Sequence, residues 1–200
     1  MRRLFTLFWT LMCCVALFAW PQVGASVPEK EHFAARIFLP TGIGRRMIFP
    51  GGQANVDIYV EQYSSDEDTK LVAQSFLEGG QEALRKQLEK MHTIGRVSLT
   101  GRVGQFELKL VRSRPLEGGG RRIIGVSDRP IQFLEAYVSG PSMDYDIGII
   151  EMNVKQNKKG KDEGEGTLIY AAKIAVKEGN RVEVENYGAD PAKLLSVRQL

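Results

Sequence analysis

Alternation of apolar and polar residues with a period of two is the feature that most constrains the fold of this chain. Val56, Ile58 and Val60 share one face of a stretch whose other face is polar, and Val182 and Val184 alternate with glutamates in the same way. Such alternation predicts half-buried strands, and strands with one polar face are typical of antiparallel sheets. Further stretches of this kind are 35–39, 96–100, 106–110, 122–126, 131–138, 147–154, 167–176 and 194–198.

The segments between these stretches indicate how the strands connect. Residues 116–120 and 177–180 contain the glycines expected of hairpin connections, and 156–166 is polar enough to predict a long solvated hairpin tip. Because no helix-length spacer separates the later strands, a parallel sheet is disfavoured. We predict a mostly β (α+β) fold, an antiparallel meander that forms either a barrel or a two-layer sandwich. Alternation alone does not decide between the two.

One segment, near residues 65–91, departs from the β pattern. Ser64 and Glu67 have the spacing of a capping box, and acidic residues in a first turn favour a helix start. Apolar residues then recur at helical intervals in 71–77 and again in 83–91, on either side of Gly79-Gly80. We predict a helical hairpin inserted into the sheet, formed by two short helices or one bent helix joined at the glycine pair.

The first 25 residues have the order of charge, apolar run and small residues that characterises a secretory signal peptide. Arg2 and Arg3 precede the apolar run 4–20, and Val23-Gly24-Ala25 follows it. We therefore predict a signal peptide at 1–25, a short polar linker at 26–33 and a single antiparallel β domain with a helical insert at 34–200. The predicted location is outside the inner membrane, in the periplasm or the medium.

The same segment could also be a retained membrane anchor or the site of a lipid anchor. The apolar run of about 17 residues is at the lower limit of a membrane span, so a retained anchor would bring the protein into contact with the membrane. Lipidation is disfavoured, because Met12 rather than a small residue precedes Cys13 and apolar residues continue well past it.

Removal of the leader would leave a chain without cysteine, since Cys13 and Cys14 both lie in it. The sequence therefore predicts a domain that depends on packing, without disulfides or a cysteine-rich zinc site. The formal net charge is +3, of which Arg2 and Arg3 contribute two. A balance this close to neutral does not favour nucleic acid as a partner.

Paired aspartates are the first candidates for chemistry. Asp144 and Asp146 would lie on the same face of a strand, where they could form an acid–base pair or bind a metal ion. They also follow Gly140-Pro141-Ser142, and aspartate is common in turns for local hydrogen bonding.

A second group of candidates lies at other predicted turns. Asp128 and Arg129 precede Pro130, which favours a structural corner but could also direct the arginine towards an anionic ligand. His92 follows the predicted helix, and a partly cationic ring suits that end of a helix.

The remaining motifs assign no chemistry. A Gly-x-Ser-x-Gly elbow is absent from the sequence, and the acidic stretch 162–166 does not have the spacing of a calcium loop. We assign no catalytic residue, no metal and no cofactor. Arg129, Asp128, Asp144, Asp146 and His92 are the candidate ligand-binding positions.

The order of several short blocks resembles a family of uncharacterised exported bacterial proteins. The blocks lie at 63–68, 101–104, 119–123, 128–131, 144–145, 164–166 and 185–187. The resemblance covers residues 55–197 and implies that the chain is a complete domain. Because the family has no known activity, it implies no catalytic role.

Two functional hypotheses of different classes follow. In the first, the chain is an exported non-enzymatic β domain whose apolar strand faces (56–60, 106–110 and 168–174) fill the core or bind a small apolar ligand, or whose surface binds an envelope partner. In the alternative, it is a hydrolase or metal-dependent enzyme that uses clustered carboxylates. The alternative requires two or more of those carboxylates and a histidine to converge in one concave site.

Overall fold

The computed structural model describes residues 30–38, 53–131, 145–177, 181–186 and 191–200. Within these ranges ten strands form one antiparallel sheet, and one helix, α1 (Asp66–Lys90), packs on it. The strands are β1 (Glu31–Phe38), β2 (Gln53–Val60), β3 (Gly95–Leu99), β4 (Gln105–Leu108), β5 (Leu110–Pro115), β6 (Arg121–Ser127), β7 (Ile147–Gln156), β8 (Asp162–Lys177), β9 (Arg181–Asn186) and β10 (Ala192–Gln199). The prediction of a mostly β, antiparallel fold with a helical insert is confirmed.

The sheet curves into a nearly closed barrel. Its order is β4-β3-β2-β1-β10-β8-β7-β6-β5, and β9 pairs with β8. The two ends of this order are consecutive parts of one stretch of chain, because β4 pairs with β3 while β5 pairs with β6. At the break between them, the main-chain N–H of Lys109 donates to the carbonyl of Val126 in β6 over 2.8 Å. Of the two predicted architectures, the chain adopts the barrel-like one.

A break between β4 and β5 and a register shift in β8 decide which side chains of these strands face the interior. Leu108 and Val111 both lie in the barrel core, whereas Leu110 between them packs with the helix outside. In β8, beyond a register shift against β7, Ile174 also packs on the helix side, although Leu168 is in the core. The prediction that each of these strands keeps one apolar face is therefore wrong for Leu110 and Ile174. An inserted residue reverses the side to which all later side chains point.

The inward-facing side chains form one buried apolar cluster. Burial of this surface is the main source of the stability of such a fold. The largest fully buried members are Phe33, Ile37, Ile58, Leu108, Ile123, Ile131, Ile150, Met152, Leu168 and Leu194.

The helix α1 covers the outer surface of the barrel, where β5 and β8 lie. Val72, Leu84 and Leu88 form a second buried cluster with Ile147. Gly80 interrupts the helical conformation with φ +65° and ψ −157°, a region that favours glycine. The prediction of two helical segments joined at the glycine pair is thus confirmed, and both segments contribute to the same cluster.

The capping box of α1 lies one residue later than predicted. Ser65 accepts a hydrogen bond from the N–H of Asp68 over 3.0 Å, and the Asp68 carboxylate accepts from the N–H of Ser65 over 3.2 Å. Ser64 is buried instead, and its hydroxyl accepts from the N–H of Val111 in β5 over 3.0 Å. The predicted pair of Ser64 and Glu67 is therefore wrong, because Ser64 joins the helix entry to the sheet.

Two connections are shorter than the sequence predicts. The strand β1 begins at Glu31, so 31–33 of the predicted linker belong to the sheet, with Phe33 fully buried. The predicted solvated tip 156–166 is reduced to 157–161, because β8 begins at Asp162. The predicted signal peptide and most of the predicted strand 131–138 lie outside the described residues. In the part of the chain that is described, no helix combines the length and apolar character needed to span a bilayer.

Candidate functional site

Charged side chains meet inside one end of the barrel, where β1, β6 and β8 begin. Glu31, Arg121 and Asp162 occupy positions in phase with the buried residues of their strands. Their side chains are only 14%, 26% and 4% exposed. With Tyr63, which follows β2, they form what we call the cross-barrel cluster.

The guanidinium of Arg121 holds this cluster together. It donates to Glu31 Oε1 over 2.6 Å, to Asp162 Oδ2 over 2.7 Å and to the Tyr63 hydroxyl over 2.9 Å. The Tyr63 hydroxyl in turn donates to the second oxygen of Glu31. Because β6 and β1 are not neighbours in the sheet, the pair of Arg121 and Glu31 spans the barrel interior.

The electrostatics of the cross-barrel cluster favour one protonation state. Burial raises the pKa of Tyr63 far above its ordinary value, and the hydrogen bond to the Glu31 carboxylate raises it further. Burial alone would lower the pKa of Arg121, but its hydrogen bonds to Glu31 and Asp162 raise it above its usual value. Since Tyr63 stays protonated and Arg121 stays charged, the cluster is suited to holding strands together rather than to transferring protons.

The predicted site residue Asp146 joins the helix to the sheet. Its carboxylate accepts from the side-chain amide of Gln81 and lies 3.1 Å from Nε of Arg85. Gln81 also donates to the carbonyl of Ala172 over 3.2 Å and accepts from the N–H of Ile174 over 2.6 Å. The side chain of Gln81 thus bonds to the β8 backbone beyond Ile147, the first residue of β7, where no β7 residue is left to pair with it. Asp144, the other half of the predicted pair, lies outside the described residues.

Asp128 and Arg129 form an ion pair with each other at the end of β6. The distance from Arg129 Nε to Asp128 Oδ1 is 3.3 Å, and the arginine is 60% exposed while the aspartate is 8% exposed. Close by, the Glu107 carboxylate binds Lys109 Nζ over 2.7 Å and the hydroxyl of Thr93 over 2.8 Å. The hydrogen bond from Lys109, more than that from Thr93, lowers the pKa of Glu107. This polar corner agrees with the structural interpretation of Asp128.

The two histidines lie in different surroundings. His92 is exposed after α1. His32 lies on the outer face of β1, where its Nε2 is 2.8 Å from Oδ1 of Asp57 and its ring stacks on Tyr59 with centroids 4.1 Å apart. The guanidinium carbon of Arg96 lies 4.6 Å from the centre of the Tyr59 ring. His32, Tyr59 and Arg96 therefore form a row across β1, β2 and β3, which we call the outer row.

Of the predicted positions, the structure brings together Asp128 and Arg129 and engages Asp146 with the helix. Within the described ranges, no group of three or more His, Cys, Asp and Glu side chains is arranged to hold a metal ion. The cross-barrel cluster was not predicted from the sequence. A signal for it exists, because Asp162 is in phase with Leu168 when the alternation of β8 is extended backwards. No family model, curated protein or solved structure matches this chain.

Proposed function

We propose that the chain is an exported, non-enzymatic domain of the bacterial envelope that acts by binding a partner on its outer surface. Its leader has the pattern of a secretory signal, and its short blocks resemble a family of uncharacterised exported proteins. The buried Asp162 and the half-buried Arg121 are engaged in joining strands. These observations support a stable scaffold that presents a surface.

The outer row is the observation that carries the binding role. Tyr59 is stacked between neighbours on both adjoining strands, and Arg96 is further held by Glu61 at 2.7 Å. Tyrosine and arginine are enriched in protein interfaces, where a side chain that is already ordered loses little entropy on binding. The row therefore offers a preorganised surface of the kind that protein partners use.

A photo-reactive amino acid at position 59 tests this proposal in intact cells. We expect one discrete cross-linked envelope protein at position 59, and loss of that product when Arg96→Ala is added. The matched control is position 193, where Lys193 is exposed on β10. A product that forms equally at position 193, or no product at position 59, would contradict the proposal.

A second candidate function is binding of a small apolar ligand, which would use the apolar side chains of the barrel interior. A thermal-shift panel of fatty acids and small apolar metabolites tests it. If a ligand enters the barrel, Ala35→Leu in the core should abolish its shift. Ala73→Leu, at an exposed position of α1, should leave the shift intact.

A further inference from the structure

The end of the barrel that contains the cross-barrel cluster also contains two hairpin tips and Leu200, the last described residue. The tips are 116–120, between β5 and β6, and 157–161, between β7 and β8. The first tip lies beside the end of β7 that leads into the second, since a methyl group placed on Gly119 would be 3.8 Å from the side chain of Lys155. The ammonium of Lys161 donates to the main-chain oxygen of Leu200 over 2.7 Å, which brings the last described residue to the same end.

Exposed positive charge is concentrated at this end, which we call the basic end. Its exposed acidic residues are Glu117, Glu163 and Glu165, and the half-buried Glu31 and the buried Asp162 are paired with Arg121. Seven exposed basic residues outnumber them. These seven are Lys30, Arg114, Lys155, Lys158, Lys159, Lys161 and Arg198.

The basic residues of this end other than Lys161, which donates to Leu200, are available to an external anion. Four of the lysines lie in or beside one hairpin tip, and all four have exposed side chains: Lys155, Lys158, Lys159 and Lys161. Such ammonium groups interact as mobile point charges, which suits a diffuse anionic surface better than a single planar ligand.

The chain before the barrel enters at the same end. Lys30 immediately precedes Glu31, which Arg121 binds, and the apolar run 4–20 lies ten residues or so earlier in the sequence. Lys30, the first described residue of this stretch, therefore lies at the basic end.

From this combination of charge and chain entry, we propose that the basic end docks on the anionic phospholipid surface of the membrane across which the chain is exported. The headgroup phosphates are the ligand, and the lysines of 155–161 are the main contacts. The inference depends on the proposed function only for the location, and it adds a lipid partner to the protein partner of the outer row.

Vesicle co-sedimentation of the full chain, in the form that cells produce, tests this inference. The vesicles contain phosphatidylglycerol in phosphatidylcholine, or phosphatidylcholine alone. We expect binding only to the anionic vesicles, with a loss at about 0.5 M salt because the interaction is screened. The triple variant Lys155→Gln, Lys158→Gln and Lys159→Gln should bind about 100-fold more weakly, from a contribution of roughly fivefold per lysine.

The matched control carries the same change of charge elsewhere. Lys70, Lys90 and Lys193 are exposed on α1 and β10, and their triple replacement by glutamine should leave binding within about threefold of the wild type. Equal losses of vesicle affinity in both triple variants would show that net charge alone explains the binding, and would overturn the inference. Binding to phosphatidylcholine alone, or equal affinity for soluble polyphosphate, would also overturn it. If lipid binding fails while cross-linking at position 59 persists, the inference fails and the proposed function stands.

Discussion

Replacement of Arg121 by methionine is the sharpest test of what holds the barrel end together. The substitution keeps much of the apolar stem and removes the guanidinium that binds Glu31, Asp162 and Tyr63. Two carboxylates that are 14% and 4% exposed then lose their counter-charge. Removal of one partner from a buried ion pair costs about 3–5 kcal/mol, because the remaining charge is left desolvated and unpaired.

The lower end of that range applies here. Arg121 is 26% exposed, so solvent screens part of the interaction. We expect Arg121→Met to lower the free energy of unfolding by about 3 kcal/mol, which for a domain of this size lowers Tm by about 6–12 °C. Urea denaturation followed by circular dichroism gives the free energy directly.

The control is Arg114→Met, which removes an exposed arginine from the same hairpin and should change the free energy of unfolding by less than about 0.5 kcal/mol. Adding Glu31→Gln and Asp162→Asn to Arg121→Met should recover part of the loss, because no uncompensated charge then remains. A loss below about 1 kcal/mol for Arg121→Met, or no recovery in the triple variant, would refute the reasoning.

Three further predictions concern other polar contacts. The raised pKa of Tyr63 means that the folded state disfavours the phenolate. The free energy of unfolding is therefore highest below the usual pKa of 10.0 and falls as the pH rises above it. Tyr63→Phe should make this fall smaller, as measured by denaturant titrations at several pH values. Burial alone would raise the pKa of Asp57, but hydrogen bonds, led by that from Thr100, lower it. Its stabilisation is therefore present above pH 3.8 and lost at lower pH, and Asp57→Asn should weaken this acid dependence of Tm. Gln81→Ala should cost about 2 kcal/mol in chemical denaturation by unpairing the β8 backbone, whereas Ala at the exposed Gln74 should cost less than about 0.5 kcal/mol.

The strands were predictable because alternation reports burial directly. Val56, Ile58 and Val60 are all in the core, as their spacing indicates. The reversal at Leu110 was not predictable, because the break at Lys109 leaves no mark in the local pattern and depends on pairing of β4 and β5 with two different strands. Closure into a barrel follows from that same break between β4 and β5.

The candidate site was harder to predict than the fold. Asp146 was selected for its neighbour Asp144, whereas its partners in the described structure are on a helix about sixty residues earlier in the chain. Arg121 and Glu31 are 90 positions apart, and only closure of the barrel brings them together. The sequence predicts Asp162 in a solvated tip. Its burial could not be predicted, because it depends on pairing of β8 with β10 and on the contact with Arg121.

The central functional claim is that this barrel works outside the cytoplasm. Fractionation of cells that express the chain, followed by mass spectrometry of its amino terminus, tests that claim most directly. The account predicts protein outside the inner membrane that begins at Ser26, in line with the small-residue site at 23–25. Intact protein in the cytosol that still begins at Met1 would contradict it.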